Sequence, residues 1–206
     1  MAREGPCNAP GEAAASESPP TDAGSARVFV GIKLAPEIAC ELVGIAKELK
    51  NAAVRPVSAD DVHLTLVPPW QEDCIGKATE MLRRITAGFN PFALVVEHVG
   101  YGPDPRRPRL LWADCAAVNE LEALRAALMA AYAQDDQRPY RPHLTLARIR
   151  GDCRAITRTH PIDRPVVFRQ WVESVQLFRS PPPGERGYQI LASAPLRKAQ
   201  QSNSER

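Results

Sequence analysis

The sequence predicts an α+β fold made of two sheet-and-helix lobes. Strand and helix patterns alternate along the 206 residues, a length that allows one compact domain with a substantial core. The tetrapeptide His-Leu-Thr-Leu occurs twice, at 63–66 and at 143–146, and holds two of the four histidines of the chain. This repeat indicates two similar half-structures, each presenting a histidine and a threonine to one shared site.

The first predicted strand and helix follow a polar N-terminal stretch. Apolar residues at 28–32 predict a short strand, and Pro36 lies where a helix can begin. Apolar residues then recur at steps of four, three and four, the period of an amphipathic helix. These residues are Ile38, Leu42, Ile45 and Leu49.

The first repeat is predicted to lie on a strand over 62–67, which Pro68 and Pro69 end because proline donates no ladder hydrogen bond. A helix over 73–86 should follow. Its buried face is predicted to carry Ile75, Leu82 and Ile85.

The rest of the chain adds one helix and five strands to the prediction. The helix begins at Asn119, a suitable capping residue, and places Leu121, Leu124, Leu128 and Tyr132 on one side. The strands are expected near 92–99, 110–115, 143–149, 171–179 and 187–196.

The two ends of the chain are predicted to stay outside the folded domain. Residues 1–25 contain no aromatic side chain and are rich in Ala, Gly, Pro, Ser and Glu, so burial cannot offset the entropy of ordering them. Residues 197–206 are also polar. One domain is therefore expected over 26–196, between a disordered N-terminal tail and a polar C-terminal tail.

Each repeat places its histidine and threonine on one face of a strand. Side chains two residues apart point the same way, about 6.6 Å from each other, so His63 shares a face with Thr65, and His143 with Thr145. The leucines between them face the core. Two such strands related by approximate two-fold symmetry would bring both histidines to one cleft.

Two opposed histidines suit displacement at phosphorus. That reaction needs a base on the entering oxygen and an acid on the leaving oxygen, and histidine serves either role near neutral pH. Thr65 and Thr145 can donate hydrogen bonds to phosphate oxygens, and an arginine can neutralise charge. Arg148 lies on the opposite parity from His143, so it reaches the site only if the strand ends or bulges there.

Other sites fit the sequence less well. Zinc needs three or four ligands, and no Asp, Glu or Cys has spacing that completes a site with the two histidines. A serine nucleophile elbow is missing from the sequence. His98 and His160 are interpreted as structural. Trp70 and Tyr140 could stack on a base, although packing explains aromatic residues beside prolines more often.

Composition limits the binding partners and the cellular compartment that we expect for the protein. The net charge of +2 does not by itself indicate nucleic acid. The five cysteines are an odd number with no Cys-x-x-Cys pair, which argues against a disulfide framework and favours reduced thiols in the cytoplasm. No secretory signal or membrane span is expected.

These motifs resemble the 2H phosphoesterases, and most closely the RNA 2′,3′-cyclic phosphodiesterases known as 2′-5′ RNA ligases. The resemblance extends over about 27–196. Besides the two repeats, it rests on an opening strand at 27–32, on Arg-Leu-Leu-Trp at 109–112, on Tyr-Arg-Pro-His-Leu-Thr-Leu-Ala-Arg at 140–148, and on the residues at 178–180 and 187–191.

The resemblance implies a bilobal, pseudo-two-fold fold in which two antiparallel-sheet-and-helix lobes enclose a central cleft. It implies opening of an RNA 2′,3′-cyclic phosphate to a 2′-phosphomonoester without metal or cofactor. We expect the protein to be a monomer that binds RNA or a nucleotide with a 2′,3′-cyclic phosphate. His63 is then the proton donor and His143 the proton acceptor, although the repeat symmetry allows the reverse. Thr65, Thr145 and Arg148 hold the phosphate.

The chain departs from the family pattern after the first repeat. It has Val-Pro-Pro-Trp at 67–70, where the family usually continues with a basic residue and an aromatic one. The prolines should reshape that rim of the cleft and change its nucleotide contacts.

Two other functions remain open on the sequence alone. One is a phosphodiesterase for small cyclic nucleotides or 2′-5′-linked oligonucleotides, which would use the same histidines. The other is a module that binds RNA ends without turnover.

Overall fold

The structure is a computed structural model that describes residues 25–51, 53–151 and 153–197. The tails predicted at 1–25 and 197–206 lie outside these ranges, apart from Ser25 and Arg197. Among the described residues no helix is long and apolar enough to cross a membrane.

Within these ranges the chain forms nine strands and four α-helices. The strands are β1 (Ala26–Lys33), β2 (Val54–Pro56), β3 (His63–Glu72), β4 (Phe92–Gly102), β5 (Leu110–Cys115), β6 (His143–Ile149), β7 (Asp163–Val172), β8 (Ser174–Arg179) and β9 (Gln189–Pro195). The helices are α1 (Pro36–Glu48), α2 (Ile75–Thr86), α3 (Asn119–Ala131) and α4 (Cys153–Thr159), and a short 3₁₀ turn spans Ala59–Asp61.

The α+β prediction is confirmed, with three additional elements that the sequence analysis missed. These are β2, α4 and β7. The strand predicted near 171–179 is the end of β7 followed by β8, with a break at Glu173. Asn119 was wrongly predicted as a cap: Val118 occupies the N-cap position, and Asn119 is the first helical residue.

The two lobes are the two halves of one antiparallel sheet. The strand order is β7-β4-β5-β6-β3-β1-β8-β9, with β2 paired to the outer part of β6. The repeat strands β3 and β6 are neighbours at the centre, and their ladder consists of one residue pair, Leu64 with Leu144. The halves therefore diverge on either side of that pair and leave a cleft between them.

Helices α1 and α3 tie the halves together. Helix α1 follows β1 of one half but contacts β6 of the other, and α3 follows β5 but contacts β3. Most of the predicted faces are buried: Leu42, Ile45 and Leu49 in and after α1, and Leu121, Leu124 and Leu128 of α3, are at most 8% exposed. Ile38 and Tyr132 are only partly buried against the core. In α2, Leu82 is buried, whereas Ile75 and Ile85 are partly exposed against the core.

Pro68 and Pro69 were predicted to end the strand of the first repeat, and that prediction is wrong. Strand β3 continues through Pro68 and Pro69 to Glu72. The ladder with β1 is irregular there, because Val28 pairs with Trp70 and Val30 with Val67. Such a bulge leaves residues without ladder hydrogen bonds, so proline is tolerated at this point.

Candidate active site

The two predicted histidines begin the two central strands. His63 is the first residue of β3 and His143 the first of β6, and each precedes a fully buried leucine of the central pair. Both histidines and both threonines are half-buried on the cleft side. The alternation predicted from the repeats is therefore observed in both strands.

Both imidazoles are held in the same way. Nδ1 of His63 donates to the carbonyl oxygen of Asp61 at 2.7 Å, and Nδ1 of His143 donates to that of Arg141 at 2.8 Å. A carbonyl oxygen only accepts, so these bonds require the proton on Nδ1. Nε2 of each ring is left as the atom that takes up a proton and, once protonated, delivers it.

His63 lies in an aromatic enclosure. Its ring centroid is 4.7 Å from that of Phe29, 5.0 Å from Tyr188 and 5.5 Å from Phe178. The backbone N–H of Tyr188 donates to the carboxylate of Asp61 at 2.9 Å. This bond holds Tyr188 against the segment that precedes the first repeat.

The enclosure lowers the pKa of His63 below its ordinary value of 6.5. Burial is the largest cause; the Asp61 carbonyl and carboxylate oppose it, and the positive charges of His143 and Arg148 add to it. Without bound substrate, the side chain of His63 is therefore mainly neutral at pH 7.

His143 is held from the opposite half. Its ring lies 4.4 Å from that of Trp112, and the guanidinium of Arg141 lies 4.8 Å above the same indole. Arg141 in turn donates to Asp114 at 3.0 Å and 3.3 Å. These contacts fix the residue whose carbonyl orients His143.

The sequence analysis required the second repeat strand to end or bulge before Arg148 could reach the site. Strand β6 has such a bulge, and Arg148 reaches the site. Leu111 pairs with Ala147 and Trp112 with Thr145, so Leu146 is an extra residue. The bulge shifts the alternation by one. Arg148 consequently lines the same cleft as Thr145.

Strand β3 carries the matching bulge. Val30 pairs with Val67 and Gly31 with Thr65, so Leu66 is the extra residue. Pro68 is five residues after His63, and Arg148 is five residues after His143. The two residues therefore occupy equivalent positions in β3 and β6. The two halves have the same backbone arrangement but different side chains at this position.

Two adjoining clefts meet at the repeats. The first cleft, about 420 Å³, contains His63 together with Thr65, Thr145 and Arg148. The second cleft, about 470 Å³, contains His143. Thr65 and Pro69 line both clefts. The structure thus brings the predicted residues to one junction and gives each cleft one histidine.

Several residues of the site were not predicted. Arg27, Phe29, Ser180 and Tyr188 line the first cleft, and Arg125 lines the second. Their positions depend on strand order, which one sequence does not disclose. Tyr140 was considered for base stacking, and it lines the second cleft, with its hydroxyl donating to the carbonyl of Thr65 at 3.2 Å.

Other reactive groups lie outside the clefts. His98 bonds Asp163, and neither it nor His160 lines either cleft. Trp70 packs on Tyr132, with ring centroids 4.8 Å apart. Burial raises the pKa of Cys115 to about 12, which leaves an inert thiol. In the described part of the chain no three His, Cys, Asp or Glu side chains group so as to hold a metal ion.

Residues 37–179 match the model of the 2′-5′ RNA ligase superfamily. The chain is 27% identical over 132 residues to an RNA 2′,3′-cyclic phosphodiesterase of Archaeoglobus fulgidus, covering 60% of this chain and 73% of the relative. It is 30% identical over 127 residues to a protein of the same name from Bacillus subtilis, covering 58% and 69%.

Solved structures show the same fold. TT0787 of Thermus thermophilus superposes with a TM-score of 0.70 at 25% identity, over 84% of this chain and 99% of that one. E. coli LigT complexed with 3′-AMP superposes with a TM-score of 0.69 at 23% identity, over 85% and 100%.

Proposed function

Because this chain belongs to the 2′-5′ RNA ligase superfamily of 2H phosphoesterases, we propose that it hydrolyses RNA 2′,3′-cyclic phosphate ends to 2′-phosphomonoesters. The observation that carries the proposal is the matched pair of imidazoles, each with Nδ1–H fixed on a carbonyl and Nε2 left for proton transfer. The curated relatives are named for the same class of substrate.

The two histidines divide the proton transfers of one in-line displacement. Nε2 of His143 accepts a proton from water as its oxygen bonds to phosphorus. Nε2 of His63 donates a proton to the ribose 3′-oxygen as the P–O3′ bond breaks. The phosphate stays on the 2′-oxygen, and both histidines exchange protons with solvent before the next cycle.

Thr65, Thr145 and Arg148 are assigned to the phosphate. They line the first cleft together with His63. The two hydroxyls can donate to the non-bridging oxygens, and the guanidinium can neutralise the charge that grows on them in the transition state. All of these roles fall to side chains, so the proposal requires no metal ion.

Substrate binding should prepare His63 for its role as acid. Burial lowers its pKa in the free protein. An anionic phosphate beside Nε2 favours the protonated imidazole, so the proton is taken up with the substrate.

We also propose that the protein acts as a monomer in the cytoplasm. The cysteines that the structure describes as free thiols, Cys40, Cys74 and Cys115, are consistent with a reducing compartment.

The proposal is tested with a short RNA that ends in a 2′,3′-cyclic phosphate, incubated in EDTA. We expect turnover to a product that co-migrates with the 2′-phosphate standard and not with the 3′-phosphate standard. Turnover that requires an added divalent metal, or a 3′-phosphate product, would contradict the mechanism.

The pH dependence of kcat/KM should be bell-shaped, with one limb for each histidine. The limbs of such a pair are set by the lower and the higher pKa, whichever group is the acid. Burial lowers the pKa of His63, so the acidic limb should lie below pH 6.5. A profile that is flat from about pH 5 to 9 would refute two-histidine catalysis, and an acidic limb above pH 6.5 would refute the lowered pKa.

A further inference from the structure

A third histidine lies in one row with His143 across the sheet. His98 of β4 pairs with Asp114 of β5, and Asp114 pairs with His143 of β6. Directly paired residues of an antiparallel sheet point to the same face, with Cβ atoms about 4.5–5.5 Å apart. The three side chains therefore form a row on one face of the sheet, and the row ends at the histidine assigned as proton acceptor.

Two glycines of β4 leave space for the rings on this face. A Cβ at Gly100 would lie 2.7 Å from Cε1 of His98, and a Cβ at Gly102 would overlap the indole of Trp112. Any larger residue at either position would displace a ring. The backbone of β4 is therefore open where the imidazole of His98 lies, and where Trp112 packs beside His143.

His98 lies between two carboxylates. Its Nδ1 is 3.6 Å from Oδ2 of Asp114, and its Nε2 contacts Oδ1 of Asp163. The side chain of Asp163 is 92% exposed, whereas that of Asp114 is only 21% exposed. Water screens the contact with Asp163 strongly, so the contact with Asp114 is the one that can hold a neighbouring group in place.

Asp114 connects His98 to His143 through Arg141. Nε and Nη2 of Arg141 donate to Oδ1 and Oδ2 of Asp114 at 3.0 Å and 3.3 Å. The carbonyl oxygen of Arg141 accepts Nδ1–H of His143. Oδ2 of Asp114 thus faces both the guanidinium and His98. Rotation of the carboxylate would break the two-point contact with Arg141, and His98 lies on the side that opposes such a rotation.

This support serves His143 and not His63. The side chain of Arg141 is 57% exposed, so without anchors it would exchange among many rotamers. His63 depends on other contacts, which are its aromatic neighbours and the bond from the backbone N–H of Tyr188 to Asp61. Removal of His98 should consequently affect one histidine of the pair and leave the other in place.

We propose that His98 is a positioning residue for His143. By holding the carboxylate of Asp114 it fixes Arg141, and thereby the carbonyl that orients the imidazole of His143. This inference rests on the proposed function, in which Nε2 of His143 takes a proton from water. His98 itself lines neither cleft and moves no proton in the reaction. A small displacement of a proton-transferring ring lowers kcat more than it changes KM, because substrate binding uses other groups.

The kinetic test uses substitutions of the full-length protein that keep one ring nitrogen of His98 at a time. The amide nitrogen of Asn takes the place of Nδ1, toward Asp114, and that of Gln takes the place of Nε2, toward Asp163. On an RNA 2′,3′-cyclic phosphate, His98→Ala and His98→Gln should each lower kcat about tenfold, with KM within about twofold of wild type. His98→Asn should retain kcat within about threefold. His160→Ala, outside the row and both clefts, is the matched control and should change neither value.

A second readout does not depend on turnover. At alkaline pH, long-range ¹H–¹⁵N spectra of protein labelled with ¹⁵N-histidine show which nitrogen of each neutral imidazole carries the proton. His143 should carry it on Nδ1 in the wild type and should gain the Nε2–H form in His98→Ala and in Asp114→Asn, because a displaced Arg141 carbonyl no longer selects the tautomer. His63, whose Nδ1–H is bonded to the Asp61 carbonyl, is the internal reference and should not change.

An unchanged kcat or an unchanged His143 tautomer in His98→Ala would each overturn the positioning role. Equal losses of kcat in His98→Asn and His98→Ala would also overturn it, as would a change of tautomer at His63 as large as that at His143. If His98→Ala does not fold, His98→Gln and Asp114→Asn provide the same comparisons. If the wild type does not turn over the RNA cyclic phosphate, the proposed function fails, and the tautomer of His143 alone then decides whether His98 positions that ring.

Discussion

His63→Ala and His143→Ala are each expected to lower kcat on an RNA 2′,3′-cyclic phosphate by about 10²–10⁴-fold. In the proposed mechanism each variant loses the Nε2 that moves a proton on its side of the phosphorus. The Nδ1 bonds to Asp61 and Arg141 are separate, so each substitution leaves the other ring in place. The measurement is single-turnover hydrolysis, with thermal unfolding as the control for folding.

His160→Ala is the matched control. His160 is half-buried and lines neither cleft, so removal of its imidazole should change kcat by less than about threefold. The proposed mechanism uses both histidines in one step, so the double variant should be little slower than the slower single variant. Full turnover in either single variant would refute the assignment of that histidine.

Leu144→Ala should lower the free energy of unfolding by about 2–5 kcal/mol. Leu144 is fully buried and pairs with Leu64 at the one residue pair that joins the central strands. Truncation leaves a cavity on the core side of β6, behind His143 and Thr145, so kcat should also fall. At this chain length each kcal/mol corresponds to a fall in Tm of about 2–4 °C.

Val167→Ala provides the comparison for stability. Val167 lies on β7 and is 81% exposed, so its truncation should change the free energy of unfolding by no more than about 0.5 kcal/mol. Equilibrium urea unfolding of both variants decides the point. Equal midpoints for Leu144→Ala and Val167→Ala would contradict the view that the central pair anchors the two halves.

The repeats allowed much of the site to be predicted from the sequence. In a strand, alternation alone places His63 with Thr65 and His143 with Thr145, and it buries Leu64 and Leu144. The apolar periodicity likewise identified the buried faces of α1 and α3. These features depend on neighbours in the chain, which a sequence shows directly.

Features that depend on pairing between strands could not be predicted in the same way. The bulge at Leu146 decides that Arg148 joins the cleft, and it is visible only in the register with β5. The continuation of β3 through Pro68 depends on a similar irregularity opposite β1. The second cleft combines residues from β3, α3 and the segment before β6, and no local pattern links them.

Strand β7 shows a different reason for a missed element. It forms one edge of the sheet, and Val167 and Trp171 remain exposed there. Its sequence therefore lacks the alternation of buried and polar residues by which half-buried strands are predicted.

The stereochemical course at phosphorus tests most directly the central claim that two histidines act on opposite sides of one phosphorus. A single diastereomer of a nucleoside 2′,3′-cyclic phosphorothioate is opened in ¹⁸O-labelled water, and the configuration of the product is determined. The in-line displacement proposed here predicts inversion. Retention would require two successive displacements through a covalent intermediate and would contradict the assignment of His143 as a base and His63 as an acid.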